Sequence, residues 1–289
     1  MTYTLLVGDR SYSSWSLRGW LPFDVWAIPV TVETTILYRD AFTRDLEAFA
    51  PGLRTVPAVK TPAGGLLTDS LAIAWHLAEA FADRKLLPDD PADRAMAQSL
   101  IATMHAGFTA LRSACPMNLR TAWAGFDPPD AVRADLARLE ALWAAALEKS
   151  GGPFLFGAYT LADAFYAPVA MRIAGYGLPV SPEAQAYVAA HLAHPSLRRW
   201  RAMGMAHGPE QAPYEMGLPR LRFPLPEQIP ARAVEAGPAV NDTCPYSGRP
   251  VTDFAEIGGR IWGSCNPFCR DKTVADPAAW PEFINIYDS

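Results

Sequence analysis

Apolar and polar positions along the first 82 residues fall into short blocks whose period changes from one block to the next. The run YTLLV at 3–7 is apolar apart from Thr4, which is typical of a short buried strand. Apolar residues at 17–25 then recur at near-helical spacing, with an expected kink at Pro22. The run TVETTIL at 31–37 alternates, as a half-buried strand does.

The remaining blocks of this region continue the same order. The run FTRDLEAFA at 42–50 predicts a helix that stops before Pro51. VPAVK and GLLT predict two short strands joined at Pro-Ala-Gly-Gly, and the next helix opens at Asp69 or Ser70. The order β-α-β-α-β-β-α predicts a thioredoxin-like α/β domain over 1–82.

The pattern then becomes helical. Residues 92–207 are rich in Ala, Leu and Trp, and breaks at FDPPD, KSGGPF and GLPVSPE divide them into about five helices, which predicts an all-α bundle. Residues 208–240 carry seven prolines and little periodicity, so we expect an extended tether with local contacts. Residues 241–289 are expected to form a small module that bears three of the four cysteines.

Composition narrows the functional classes. A chain of 289 residues has room for two domains and a small third. Its net charge of −5 leaves no basic footprint, so nucleic acid is not an expected partner. No apolar run approaches the roughly 18 residues of a membrane span, and Asp9 and Arg10 interrupt any signal-like start. We therefore expect a cytoplasmic protein without a membrane partner.

Four serines crowd into the turn GDRSYSSWSLRGW between the first strand and the first helix: Ser11, Ser13, Ser14 and Ser16. A helix needs only one serine as its N-cap, so capping does not explain all four. A hydroxyl donor and the free amides of a helix N-terminus lower the pKa of a thiol bound beside them. The turn is therefore a candidate site for binding a thiolate.

Four motifs in this order resemble the cytosolic glutathione transferases over roughly residues 1–207. They are SYSSWSLR, LRTVPAV, LTDSLAIAWHL and FGAYTLADAFYAPV. The resemblance implies a thioredoxin-like domain followed by an all-helical domain, glutathione as the bound thiol, a small electrophile as second substrate, and a homodimer. The serine turn resembles the catalytic serine turn of serine-type transferases, such as the zeta and theta classes, although it lacks the cysteine of the zeta turn.

The resemblance also implies which serine is catalytic. In the zeta class that serine precedes a helix arginine by seven residues, and counting back from Arg18 gives Ser11. Ser13 and Ser14 remain open as alternatives. A purely structural turn, in which one serine caps the helix and the others face solvent, also remains open. On this interpretation Ser11→Ala costs more turnover than either of the other two substitutions.

Two further segments are implied to bind glutathione. The resemblance makes the bond between Val56 and Pro57 cis, so that the backbone before the proline can pair with the cysteinyl part of glutathione. Asp69 and Ser70 open a helix, where free amides and a hydroxyl can take the γ-glutamyl carboxylate. A plain N-cap is the alternative interpretation of this pair.

The helical half supplies a structural motif and the expected electrophile pocket. Thr160 and Asp163 fit a capping box, in which we expect Asp163 to be buried and bonded to backbone amides. The pocket is expected along the stretch MHAGFTALRSACPMNLR. Its candidate residues are Met104, Phe108, Cys115, Asn118 and Arg120.

Three cysteines in the tail follow the spacing Cys244-x20-Cys265-x3-Cys269. An odd cluster argues against a disulfide framework and for thiol or metal chemistry. The segment resembles the small metal-binding modules of the TRASH and YHS type, with a hairpin around Gly258 and Gly259 returning the first cysteine to the other two. Three soft thiolates favour zinc or copper(I). Candidates for a fourth ligand are Asp242, Asp271 or a water, and metal-free buried thiols are the alternative.

Two functional hypotheses follow. The first is an enzyme that transfers the glutathione thiol to an electrophile and carries a metal-binding tail. The second is a scaffold without catalysis that binds or senses glutathione and metal. A glutathione-dependent reductase is disfavoured, because serine stands where such enzymes carry cysteine.

Overall fold

The computed structural model describes residues 2–289, which form two compact units. The first contains the chain up to Leu192 together with Gln211–Pro224, and the second contains Ala193–Glu210 and Leu225–Ser289. No helix among residues 2–289 is long and apolar enough to cross a membrane.

The first unit begins with a mixed four-stranded sheet and three helices. Its elements are β1 (Tyr3–Val7), α1 (Ser14–Val25), β2 (Val30–Thr34), α2 (Ala41–Phe49), β3 (Ala58–Lys60), β4 (Leu66–Leu67) and α3 (Ser70–Ala80). The strand order is β2-β1-β3-β4, with β2 parallel to β1 and β3 antiparallel to both of its neighbours. The predicted thioredoxin-like order is confirmed.

Strand β1 is apolar except for the partly buried Thr4, because both of its faces are covered. Leu5 and Val7 are fully buried, while Leu6 packs with Leu46 and Phe49 of α2. Helix α1 continues through Pro22 and packs against α3. This central strand and helix therefore fix the position of the serine turn that joins them.

The rest of the first unit is mainly helical. Its elements are α4 (Pro91–Ala106), α5 (Thr109–Ala114), β5 (Ala122–Trp123), α6 (Asp130–Ser150), α7 (Leu161–Tyr176) and α8 (Pro182–Ala193). The short α5 has only one buried residue, Leu111, so periodicity could not predict it. Helix α7 is buried along its whole length except for Ala174 and packs against both α1 and α4.

Helix α7 starts with the predicted capping box. Asp163 is fully buried and accepts hydrogen bonds from the Leu155 and Thr160 N–H groups at 3.1 and 2.8 Å. It also accepts from the hydroxyls of Thr160 and Tyr187, each at 2.9 Å. Burial raises the pKa of Asp163 to about 6, against the effect of these four hydrogen bonds. The expectation that Asp163 is a structural residue is confirmed.

The second unit combines helices with a three-stranded antiparallel sheet. The short β6 (Arg220–Leu221) still belongs to the first unit. The elements of the second unit are α9 (Pro195–Ala206), β7 (Ala231–Val234), β8 (Asp253–Ile257), β9 (Arg260–Ser264), α10 (Pro267–Ala275) and α11 (Pro281–Tyr287). Its core contains Trp262, Trp280 and Phe283. Arg198 of α9 holds the buried Asp276 through two hydrogen bonds of 2.6 and 2.8 Å.

The segment 208–240 differs from the tether that its prolines predict. Residues 211–224 pack in the first unit, where β6 pairs with β5 and Phe223 is 1% exposed. Strand β7 pairs with β8 in the second unit. Both strands are too short for their apolar alternation to stand out, since they have two and four residues.

Strands β8 and β9 form the hairpin predicted around Gly258 and Gly259. Both glycines have positive φ, 57° and 77°, as a two-residue hairpin turn requires. A Cβ at Gly258 would lie 2.1 Å from the Tyr287 hydroxyl, so the turn is also closely covered by the end of α11. The turn explains why this pair is glycine.

We predict that Asp163→Ala lowers the free energy of unfolding by about 3 kcal/mol. The substitution leaves the buried Leu155 and Thr160 N–H groups without acceptors, and each unsatisfied group costs roughly 1–3 kcal/mol. Urea unfolding followed by tryptophan fluorescence measures the change. Asp130→Ala is the matched control, because Asp130 is an exposed first-turn aspartate of α6 and should cost only about 0.5 kcal/mol. Equal losses in the two variants would contradict the assignment.

Candidate functional site

A cleft of about 780 Å³ opens in the first unit beside the N-terminus of α1. Its walls come from the serine turn, the loop between β2 and α2, the segment before β3, and helices α5 and α7. Tyr214, from the segment 211–224, closes one side by stacking on Tyr12 at a ring distance of 4.6 Å. The cleft is large enough for a small ligand.

Ser11 lies outside the lining of this cleft and is only 2% exposed. Its carbonyl accepts a hydrogen bond from the Leu119 N–H at 3.0 Å, and its hydroxyl accepts one from the Arg120 guanidinium at 3.4 Å. Ser11 therefore joins the turn to residues 119–120 of the helical part.

Ser13 and Ser14 both line the cleft but use their hydroxyls differently. Ser13 is the N-cap of α1: its hydroxyl accepts from the Ser16 N–H at 3.2 Å and donates to the Ser16 hydroxyl at 2.8 Å. Ser14, the first residue of the helix, accepts from Arg172 at 3.4 Å. Within residues 2–289 the Ser14 O–H has no acceptor, so its proton is available to a ligand.

Of the other residues predicted to bind glutathione, some line the cleft and others do not. Val56 lines the cleft and its bond to Pro57 is cis, as the resemblance implies. Asp69 caps α3 by accepting from the Leu71 and Ala72 N–H groups, and neither Asp69 nor Ser70 lines the cleft. Ser70 is 1% exposed, and its hydroxyl has no hydrogen-bond partner in the described part of the chain.

The five residues predicted for the electrophile pocket are not in the cleft lining. Met104, Phe108 and Cys115 are at most 2% exposed and belong to the core. The same stretch instead lines the cleft through the neighbouring residues Thr109, Arg112, Ser113, Pro116 and Met117. The helix ends at Ala106 and restarts at Thr109, with Phe108 at φ 57°, which shifts the face presented to the cleft.

Four arginines line the cleft, and no aspartate or glutamate does: Arg39, Arg54, Arg112 and Arg172. Arg172 donates to the carbonyls of Cys115 and Pro168 at 2.7 and 3.2 Å. Burial, followed by the nearby charge of Arg112, lowers the pKa of Arg172 to about 10, so it remains charged at neutral pH. No pattern in the sequence indicated Arg172, because it lies within a continuously buried helix.

Cys244, Cys265 and Cys269 form a cluster in the second unit, with their sulfurs within 4.8 Å of one another. The Cys265 and Cys269 sulfurs are 4.0 Å apart, close to the separation of about 3.8 Å between thiolates in a tetrahedral zinc site with Zn–S bonds near 2.3 Å. Cys115 is fully buried in the first unit. The predicted convergence of the three tail cysteines is thus present.

Local structure explains why these sulfurs meet. Cys244 opens a turn in which its carbonyl accepts from the Gly248 N–H at 2.9 Å. Asn266 caps α10 by accepting from the Cys269 N–H at 2.8 Å, and its amide donates to the Cys265 sulfur at 3.2 Å. Ser247 donates to the same sulfur at 3.2 Å. The turn and the helix start therefore orient all three thiols.

Burial, hydrogen bonds and neighbouring charges, including that of Lys272, shift the pKa values of two of these thiols. Burial favours the neutral Cys244 thiol, but hydrogen bonds led by the Tyr246 N–H lower its pKa to about 7. Burial, together with the neighbouring Cys244, raises the pKa of Cys269 to about 12. Three thiolates this close repel one another unless a cation lies between them. In the described residues, neither Asp242 nor Asp271 joins the group as a fourth ligand.

Comparisons with known proteins agree with the fold of this site. Residues 12–80 match the family described as glutathione S-transferase, N-terminal domain, whereas no curated protein matches the chain. A glutathione transferase homologue from Burkholderia gl BGR1, solved with bound glutathione, is similar over 71% of this chain and 98% of its own, with 23% identity and a TM-score of 0.54.

Two further solved structures are similar at comparable levels. Glutathione transferase Omega 3C from Trametes versicolor matches 70% of this chain and 88% of its own, with 19% identity and a TM-score of 0.52. The trimeric Leishmania glutathione transferase TDR1 matches 71% of this chain and 46% of its own, with 20% identity and a TM-score of 0.56. The chain therefore contains the glutathione transferase fold, a thioredoxin-like domain followed by a helical domain.

Proposed function

We propose that this protein is a serine-type glutathione transferase that conjugates, or otherwise transfers, the glutathione thiol to a small electrophile. The observation that carries the proposal is the Ser14 hydroxyl, which lines the cleft at the N-terminus of α1 with its proton unused. The family match over residues 12–80 and the glutathione in the Burkholderia structure support glutathione as the thiol. The zeta- or theta-like class stays a prediction.

The contacts favour Ser14 as the residue that activates the sulfur, whereas spacing to Arg18 favours Ser11. A serine that stabilises a thiolate must donate its proton to the sulfur. Ser13 already donates to Ser16, and Ser11 lies outside the cleft lining. Ser14 accepts from Arg172 and keeps its own O–H free. Ser14 is therefore the proposed donor.

Three features of the first unit would then lower the pKa of the glutathione thiol. They are the Ser14 O–H, the free amides at the start of α1, and the positive charge of Arg172 beside them. The thiolate forms a bond from sulfur to the electrophilic carbon, and the leaving group departs with its electron pair. The proton released from the thiol passes to solvent.

The rest of glutathione would bind through backbone and charge. We assign the backbone before Pro57 to the cysteinyl part, and the cleft-lining Arg39 and Arg54 to the glycyl carboxylate. The family resemblance assigns the γ-glutamyl end to Asp69 and Ser70.

We expect Ser14→Ala to lower kcat/KM for glutathione conjugation by about 10- to 100-fold. A hydrogen bond to a charged group contributes roughly 1.5–3 kcal/mol, and its loss lowers the thiolate fraction at neutral pH accordingly. Ultraviolet absorbance of bound thiolate against pH should show a raised pKa of the glutathione thiol. Calorimetry should show that binding is largely kept.

Ser11→Ala and Ser13→Ala are the matched controls for this experiment. Each removes one hydroxyl from the same turn, and each should leave the thiol pKa closer to that of the parent protein. A larger loss of kcat/KM in Ser11→Ala than in Ser14→Ala would contradict the assignment to Ser14 and support Ser11, which the spacing to Arg18 favours.

A scaffold that binds glutathione without catalysis is the alternative function. Turnover of 1-chloro-2,4-dinitrobenzene with glutathione distinguishes the two hypotheses, because both require glutathione binding but only the enzyme forms the thioether. Calorimetry that detects no binding at millimolar glutathione would exclude both.

We further propose that the tail binds zinc or copper(I) through Cys244, Cys265 and Cys269. The proximity of the three sulfurs supports this, as does the preference of soft metals for thiolates. Cys265 is half-buried, which leaves access for a water or another external fourth ligand. Membership of the TRASH or YHS type stays a prediction from the sequence.

The metal proposal predicts about one equivalent of zinc or copper in the purified protein, measured by plasma mass spectrometry. Cys265→Ser should lower the metal content, because it removes a ligand. Cys115→Ala should not, since that residue lies in the first unit. Removal of the metal by a chelator should lower the unfolding temperature of the second unit, since metal binding adds folding free energy to a small module. Metal-free protein with an unchanged unfolding temperature would support buried, metal-free thiols.

We also propose a homodimer in the cytoplasm. The dimer rests on the family resemblance, and light scattering at micromolar concentration should give about twice the chain mass of 31.5 kDa. A monomer, or a trimer like the Leishmania protein, would refute it. The cytoplasmic assignment is supported by the four free cysteines, which suit a reducing compartment.

A further inference from the structure

The cleft carries more positive charge than the carboxylates and the thiolate of glutathione require. Arg39 and Arg54 lie on the side formed by the loops around α2, where we assign them to the glycyl carboxylate of glutathione; Arg54 also lies 3.6 Å from Glu47. Arg112 and Arg172 lie on the opposite elements, α5 and α7. Arg172 is beside Ser14 and therefore acts on the sulfur. Arg112 is left without a glutathione group to bind.

Arg112 is held in place by neutral groups. It donates to the carbonyls of His105 and Gly107 at 3.4 and 3.2 Å, and its guanidinium stacks on the Trp15 ring at 4.6 Å. Among residues 2–289 no carboxylate lies within ion-pair distance of it. Its remaining N–H groups are therefore available to an anion at the cleft surface.

A second guanidinium lies behind the same ring. Arg18 is fully buried, stacks on Trp15 at 4.7 Å and donates to the Phe165 carbonyl at 2.9 Å. Both of its terminal nitrogens lack partners in the described residues. Burial, and then the charges of Arg172 and Arg112, lower the pKa of Arg18. Arg18, Arg112 and Arg172 therefore lie close enough to affect one another's pKa, and no carboxylate is among the cleft-lining residues.

Apolar groups complete this side of the cleft. Trp15, Pro116 and Met117 also line the cleft, and the Trp15 ring lies against the Arg112 guanidinium. An apolar ligand body can pack against these groups while a carboxylate reaches the guanidinium. A wholly apolar ligand would leave Arg112 without an anionic partner.

We propose that the second substrate is an electrophile that carries a carboxylate, and that Arg112 binds this carboxylate. The inference rests on the proposed transferase function and names the substrate class of the same site. In the test reaction, the glutathione sulfur forms a bond to the chlorine-bearing carbon of an aromatic ring. The carbon–chlorine bond then breaks, chloride leaves with the electron pair, and the thiol proton passes to buffer.

The test compares 4-chloro-3,5-dinitrobenzoate with its neutral amide, 4-chloro-3,5-dinitrobenzamide. Each kcat/KM is divided by the rate constant of the uncatalysed reaction with glutathione, which removes the difference in intrinsic reactivity. We expect the acid to be preferred about 10-fold, and the preference to fall as salt screens the charge. Arg112→Met should remove most of the preference, and Arg112→Lys should retain part of it.

Arg133→Met is the control, because Arg133 is an exposed arginine of α6 that pairs with Asp127 outside the cleft. It should leave the preference unchanged. The inference is overturned if the parent protein and Arg112→Met show the same ratio of acid to amide.

A binding measurement separates failure of this inference from failure of the proposed function. Calorimetry with 3,5-dinitrobenzoate and neutral 1,3-dinitrobenzene is done with S-methylglutathione present, which cannot react. Carboxylate-dependent binding that Arg112→Met abolishes, without turnover of either chloro compound, would keep the anion site and overturn the transferase. Equal binding of both compounds would overturn the anion site, whatever the turnover.

Discussion

The burial of two guanidinium groups against backbone carbonyls is the constraint on which the first unit depends. Arg18 donates to Phe165 of α7, and Arg172 of the same helix donates to the Cys115 carbonyl and to Ser14. A buried charge costs several kcal/mol unless polar groups surround it. Since each carbonyl comes from a different part of the chain, α1, the end of α5 and α7 must keep their mutual positions, and the cleft keeps its shape.

Local patterns in the sequence were sufficient to predict the elements of the thioredoxin-like domain, the capping box at Asp163 and the Gly258–Gly259 hairpin. Each of these depends on residues close together in the chain, through strand alternation, helix spacing or turn geometry. The approach of Cys244 to Cys265 and Cys269 was also predicted, because a hairpin between them leaves few ways to connect the three.

The contacts that distinguish the serines could not be predicted in this way. Ser14 differs from Ser13 through Arg172, which lies 158 positions away, and Ser11 differs through Arg120. The five electrophile candidates lie outside the cleft lining for a local reason, since the break at Phe108 rotates the following helix. Spacing therefore identified the turn and the stretch that line the cleft, but not which side chains of each face it.

The division of the chain has a consequence for synthesis on the ribosome. The first unit needs Gln211–Pro224, which follow the α9 segment of the second unit. A nascent chain that has reached the end of α8 therefore still lacks β6 and Phe223, and α9 must wait for Asp276 before its Arg198 gains a partner. No single cut of the chain separates the two units, because each is built from two separated segments. A gene fragment that ends within residues 193–210 therefore encodes an incomplete core of each unit.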